Sequence, residues 1–290
     1  MTGFQLTPYE TRQLAAIHEW QAQSPGWGAR LMAKPGSRIA QAVQSMVPVD
    51  ALRAALTGVN RVAERLSDEQ SILKRAKARS LEELRAMPLN THDRSMRIEQ
   101  RWAMGMAGAG GAVFGVAGAA GMVADIPALI TLALRTIHRV GLCYGDDPLD
   151  GNRSRLAIAI FALASANSMD EKLTAIRAIR DLQSGLIDAA LRDGVERVAE
   201  RELAKEAAVF SLQNLAKKLG VNLGTRKSVG MVPVLGAIVG SSVNAWYVYD
   251  VAQVSRYVFQ ERWLRRRYPE LDPDDPESSA LSAPPRSNAE

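Results

Sequence analysis

The chain has 290 residues, 47% hydrophobic and 23% charged, with 36 Lys and Arg against 31 Asp and Glu for a formal net charge of +5. Such a composition excludes disorder over most of the length and fits a soluble folded protein with one large core or two modest ones. The single cysteine, Cys143, excludes a disulfide framework and a thiolate metal cluster and points to a reducing, cytoplasmic setting. The net positive charge favours anionic surfaces.

In chain order, Thr7 and Glu10 form a capping box around Pro8, and TRQLAAIHEWQAQ spaces its apolar residues helically, which predicts a first helix from about Pro8 to Gln23. The run SPGWGARLMAKPGS then predicts a loop. Ile39 to Ser45, Asp50 to Leu66 and Ile72 to Lys77 follow the 3.6-residue period, and Leu81 to Met87 is capped by Ser80 with Glu83 three residues on. Arg94 to Arg101 leads into a charge-free stretch, Ala103 to Ala124, in which 7 of 22 residues are Gly and 8 are Ala. Pro127 is expected to restart or kink the helix carrying ALITLALRTIHRVGLCYG. Arg153 to Ala166 is apolar nearly all round, as a helix buried in a bundle is. Asp170 to Leu219 predicts one or two amphipathic helices, and Val221 to Lys227 a polar loop. A second charge-free stretch, Val229 to Tyr249, opens a helix running on to Phe259 and Trp263. From Pro269 the acidic, Pro- and Ser-rich tail predicts disorder. No stretch alternates as a strand does. The predicted fold is all-α: one multi-helix bundle over 1–268 with the two Gly-rich helices packed centrally in the manner of a glycine zipper, and a disordered tail over 269–290.

The Gly-rich stretches are long enough to span a bilayer but poorly suited to it. In the first, Val113, Phe114, Val116 and Val123 supply about 2 kcal/mol of insertion free energy, while each helical Gly costs about 1 kcal/mol relative to Ala. Small residues four apart instead make a flat stripe for close helix crossing, as Gly111 with Gly115 and Gly236 with Gly240 do. The first stripe continues through Ala117 and Gly121 to Asp125, and the second reaches Asn244. Asp125, Asn244 and Asp250 interrupt apolar helices and are the polar candidates. Asp125 fits an N-cap for a helix restarted at Ile126 and Pro127, with a ligand or proton role as its alternative. Asn244 and Asp250 are expected to bond across to the first Gly-rich helix, or else to face a ligand.

Motifs for chemistry fail on spacing. Gly110 and Gly115 have the first interval of a phosphate-binding loop, but Val116 and Ala117 stand where Lys and Ser or Thr are needed. His18 and Glu19 begin a zinc-protease motif whose second imidazole is replaced by Ala22, and the other histidines, His92 and His138, lie in separate segments. Gly240, Ser241 and Ser242 lack the strand and final Gly of a nucleophile elbow. No catalytic residue, metal site or cofactor is assigned, and no nucleic-acid fold signature accompanies the positive charge. Near the C-terminus, Arg262, Arg265, Arg266 and Arg267 stand beside Trp263 and follow Trp246. This pattern fits an interfacial membrane contact or a helix end complementing its macrodipole.

Three blocks, YETRQLAAIHEW, ADIPALITLALRTIHRVGLCYGDDP and VPVLGAIVGSSVNAWYVYDVAQVSRYVFQERWL, give the chain a resemblance to the bacterial EcsC protein family from about Tyr9 to Tyr268. The resemblance carries over no agreed enzymatic activity or catalytic residues, and implies at most a link to membrane transport or secretion through an ABC transporter. Residues and resemblance together lead to the expectation of a non-enzymatic cytoplasmic protein at the inner face of the bacterial membrane, its partners anionic lipid or membrane transport proteins. A helical module enclosing a lipid or fatty acid, with Asp125, Asn244 or Asp250 at its polar end, is the alternative. A hydrolase with an unrecognised site ranks last.

Overall fold

A computed structural model describes residues 5–25, 62–63, 65, 67–116, 118–147, 153–166, 168–184 and 233–271, with backbone alone at 111–116, 118–127, 184 and 233–243. The helices predicted at Ile39 to Ser45 and across most of Asp50 to Leu66, the part of Asp170 to Leu219 beyond residue 184, the loops at 26–37 and 221–227, and the tail beyond Leu271 lie outside the described residues. Among the described residues the fold is all-α, with eight helices. They are α1 (Pro8–Ala22), α2 (Glu69–Ala76), α3 (Leu81–Ala86), α4 (Leu89–Val116), α5 (Gly118–Cys143), α6 (Arg153–Ser165), α7 (Met169–Ser184) and α8 (Pro233–Arg267).

Local chemistry sets the ends. The Thr7 side chain accepts from the Glu10 amide at 3.3 Å, while the Glu10 carboxylate accepts from the Thr7 amide at 2.8 Å, completing the predicted box. Asp68 and Ser80 cap α2 and α3, each side chain accepting from the amide three residues on. Gly145, at φ 72°, closes α5: its amide donates to Leu142 O and that of Asp146 to Gly141 O, both at 3.0 Å. Lys77 does the same for α2 at φ 58° without the freedom of glycine.

One boundary expectation is corrected. α5 runs unbroken from Gly118 to Cys143, through both Asp125 and Pro127. Asp125 is therefore interior to a helix and not at the N-cap position expected of it. Proline removes one backbone donor from the ladder, and packing of a long helix against two neighbours outweighs that loss.

Side-chain pairs fix the directions. His92 reaches Cys143, Glu99 reaches Arg139, and Trp102 lies under Arg135, so α4 and α5 form an antiparallel hairpin. Asp93 meets Gln260, and Trp263 approaches His92, so α8 also runs antiparallel to α4. Among the described helices the α4 and α8 pair makes the most extensive interface, and α8 also packs on α5, α6 and α1. The helices that carry the two Gly-rich stretches are thus the centre of the bundle. At 1.5 Å per residue, α4 and α8 are about 42 and 52 Å long, and counting from the Asp93 level brings Gly111 and Gly115 level with Gly240 and Gly236 to within about a turn. How those stripes pack lies outside the described residues.

The core is built where large side chains are available. Leu134, Ile137, Val140, Phe161, Val248 and Val251 are fully buried, and α6 is buried nearly all round, as its sequence predicts. Leu271, three residues into the predicted tail, is 6% exposed and joins this core. A close glycine crossing is seen at a position the stripes did not include: a Cβ on Gly141 would stand 2.8 Å from Phe259 Cζ.

Candidate functional site

Besides Glu10 in the cap of α1, the base of the bundle holds three buried carboxylates among the described residues. Asp93, on α4, is fully buried. It accepts from Tyr9 of α1, from Tyr144 at the end of α5, and from Gln260 of α8 at 2.8 and 2.9 Å, with Arg256 at 3.5 Å. Gln13 of α1 closes the cluster, accepting from Arg256 at 2.5 Å and Gln260 at 3.2 Å. Burial, helped by the bond to Asp93, pushes the Tyr9 phenol up to about 12, and burial beside the same carboxylate raises Tyr144 further. Both tyrosines therefore remain hydrogen-bond donors across the physiological range.

One turn and a half along α4, Glu99 receives Arg139 through two bonds, at 2.5 and 2.9 Å, and Arg75 from α2. Arg139 also reaches Ser71 at 3.0 Å, so the pair anchors α2 to the hairpin. The third carboxylate, Asp146, follows α5 and takes Arg266 at 3.0 Å and Arg262 at 3.3 Å. Each of these carboxylates joins elements distant in sequence, and a buried charge so paired holds elements in a defined arrangement.

Two further groups are held by backbone. The His92 ring lies between Cys143 O at 2.8 Å and Met87 O at 3.1 Å, and burial lowers its pKa despite the two carbonyls that favour the charged ring. Lys172 of α7 donates to Trp20 O and, at 2.7 Å, to Gln23 O, closing the C-terminus of α1, with the Trp20 ring 4.5 Å away. Burial brings its ammonium down to about 8, countered by Asp250. Among the described residues no cluster of three His, Cys, Asp or Glu is placed to hold a metal ion.

The predicted site residues are dispersed over this frame. Gly111, Gly115 and Gly121 lie in α4 and α5, and Gly236 and Gly240 in α8, all toward the end opposite the carboxylates. Asn244 is 3% exposed, Asp250 is half-buried near Lys172, and Asp125 is interior to α5. Most of the aromatic and basic residues expected to meet a membrane are used internally. Trp263 is buried and donates from Nε1 to Arg85 O at 3.3 Å, while Trp246 packs on the core. Arg262 and Arg266 hold Asp146, Arg265 pairs with Glu261, and Arg267 is exposed.

The sequence reading passed over Asp93, Glu99 and Asp146. Asp93 and Glu99 are the two acids of α4 and share its inward side with His92, Met96 and Ala103, a pattern visible in HDRSMRIEQRWA once their burial is considered. With its acids turned in, α4 shows solvent Arg94, Arg97 and Arg101 beside Ile98, Trp102 and Met106. Beyond them, residues 102–116 of α4, 118–134 of α5 and 233–249 of α8 contain one ionisable side chain that carries charge near neutral pH, Asp125.

A sequence model described as the EcsC protein family matches residues 11–264. A protein of Bacillus subtilis (strain 168) named YdbA, described as uncharacterized, is 23% identical over 193 residues, which cover 67% of this chain and 65% of that protein. No solved structure matches the chain.

Proposed function

The chain belongs to the EcsC protein family, and from that membership and the distribution of charge along the bundle we propose a non-enzymatic protein that associates peripherally with the inner face of the bacterial membrane. One observation carries this reading. Among the described residues, three helices bring segments that share a single charged side chain, Asp125, namely 102–116, 118–134 and 233–249, to the same end of the bundle, and the ion pairs gather at the other. Each segment extends about 22 to 26 Å along its helix, short of the roughly 30 Å of a hydrocarbon core. Among the described residues no helix is long and apolar enough to cross a membrane. Contact by one end or one side of the bundle therefore fits better than a span.

Co-sedimentation of the full chain with zwitterionic and anionic phospholipid vesicles tests the reading. Pelleting with anionic vesicles that weakens as salt screens charge beyond about 10 Å is the expected result. A protein that stays in the supernatant with both vesicle types at low salt is not a peripheral membrane protein.

A further inference from the structure

Resting on that reading, we infer which surface touches the lipid: the outward face of α4, an apolar ridge of Ile98, Trp102 and Met106 bordered on both sides by arginines. The three side chains are 43%, 47% and 45% exposed and recur every fourth residue, so they form a continuous strip along the helix. Isolated exposed apolar residues are ordinary on any protein, whereas three in register on one face are not. Arg94, Arg97 and Arg101 line one edge of the strip and are exposed. Along the other edge, Arg135 of α5 lies over the Trp102 ring at 4.4 Å.

Charge complementarity selects the occupant. Both acids of α4, Asp93 and Glu99, are buried and paired, so the exposed face of this helix carries positive charge and no negative charge. An anionic phospholipid surface offers what such a face requires, with phosphates for the guanidinium groups and an acyl boundary for the ridge. An indole with a cation beside it is suited to headgroup level, where an apolar body meets a wet edge. The ridge is also continuous with the charge-poor end of the bundle, because Trp102 begins the charge-free segment of α4 that runs on to Val116. The Arg262 to Arg267 cluster lies at the opposite end, with Arg262 and Arg266 committed to Asp146. The surface assigned here is therefore separate from the contact expected from the sequence.

The test uses the full chain and two kinds of variant. Trp102→Ala removes an exposed ring and is expected to weaken binding to phosphatidylglycerol-containing vesicles at least about tenfold, since the exposed half of the indole is no longer withdrawn from water on binding. Arg94→Gln, Arg97→Gln and Arg101→Gln together should remove most of the salt dependence while the circular dichroism spectrum is retained. Leu173→Ala, at another exposed apolar residue, should bind like the parent. Independently of any loss of affinity, a nitroxide on Met106→Cys reads immersion directly, since the native Cys143 is buried and its thiol is raised by burial. On adding vesicles the label should become accessible to oxygen and shielded from an aqueous relaxant, while one on Leu173→Cys should not change. Failure of the parent to bind vesicles overturns both this assignment and the proposed function, and binding of an acidic protein instead would identify a different occupant. A parent that binds while the label at 106 stays in water, or while the α4 variants bind unchanged, overturns the α4 assignment alone.

Discussion

Replacing Gly141 with alanine should destabilise the protein, against the ordinary effect of that change in a helix. Interior Gly→Ala gains about 1 kcal/mol from helix propensity. At Gly141 the added Cβ would meet the Phe259 ring at 2.8, 3.2 and 3.4 Å. Relief needs a shift of roughly half an ångström, in an interior packed as densely as an organic crystal. Phe259 is 4% exposed and stacks on Tyr144 with centroids 6.4 Å apart, and Tyr144 donates to Asp93. The ring cannot retreat without disturbing the buried cluster. Overpacking of this kind costs about 1 to 3 kcal/mol, so after the propensity gain the net loss is about 0 to 2 kcal/mol. Gly105 and Gly110 supply the comparison, because a Cβ at either meets nothing within 4 Å. Gly105→Ala and Gly110→Ala should each gain up to about 1 kcal/mol. Urea unfolding followed by circular dichroism measures all three, and Phe259→Leu in the Gly141→Ala background should recover part of the loss. A Gly141→Ala variant as stable as Gly105→Ala would refute the argument for a close crossing.

Two further outcomes follow from the buried cluster and the chain end. The Tyr9 phenol is held up at about 12 against an ordinary 10.0, so above pH 10 the unfolded chain loses that proton first. Its contribution is complete below pH 10 and is lost as pH rises toward 12. Tyr9→Phe should flatten the alkaline decline seen in unfolding curves at successive pH, and identical slopes in parent and variant would count against it. Truncation after Tyr268 removes the buried Leu271 and should cost about 1 to 2 kcal/mol in thermal unfolding, whereas truncation after Leu271 should leave this contribution intact.

Fold class, the cap of α1 and the burial of α6 were legible because each rests on neighbours in sequence: a Thr-Pro-Glu cap, a 3.6-residue period, an apolar stretch without gaps. The continuity of α5 through Pro127 was not, since it depends on packing that local rules do not contain. The role of Asp93 was hidden for a related reason. Its partners Tyr9, Tyr144, Arg256 and Gln260 come from three other parts of the chain, and an aspartate between His92 and Arg94 reads locally as a surface residue. Arg262 and Arg266 misled in the opposite sense. They are conspicuous beside Trp263, yet their partner Asp146 lies 120 residues away from Arg266.

The Asp93 cluster also dictates an order of assembly. The α4–α5 hairpin closes over pairs 40 to 51 residues apart and can form as soon as its own residues are made. The helix that completes the centre arrives last: Gln260 is separated from Asp93 by 167 residues, Arg256 from Gln13 by 243, and Tyr268 from Glu10 by 258. Closing such long loops costs entropy before any contact rewards it. During synthesis the hairpin must therefore wait with Asp93 held by Tyr144 but without Gln260 and Arg256, and with its α8-facing side uncovered, until α8 emerges, a period in which a nascent chain is most open to chaperones and to aggregation.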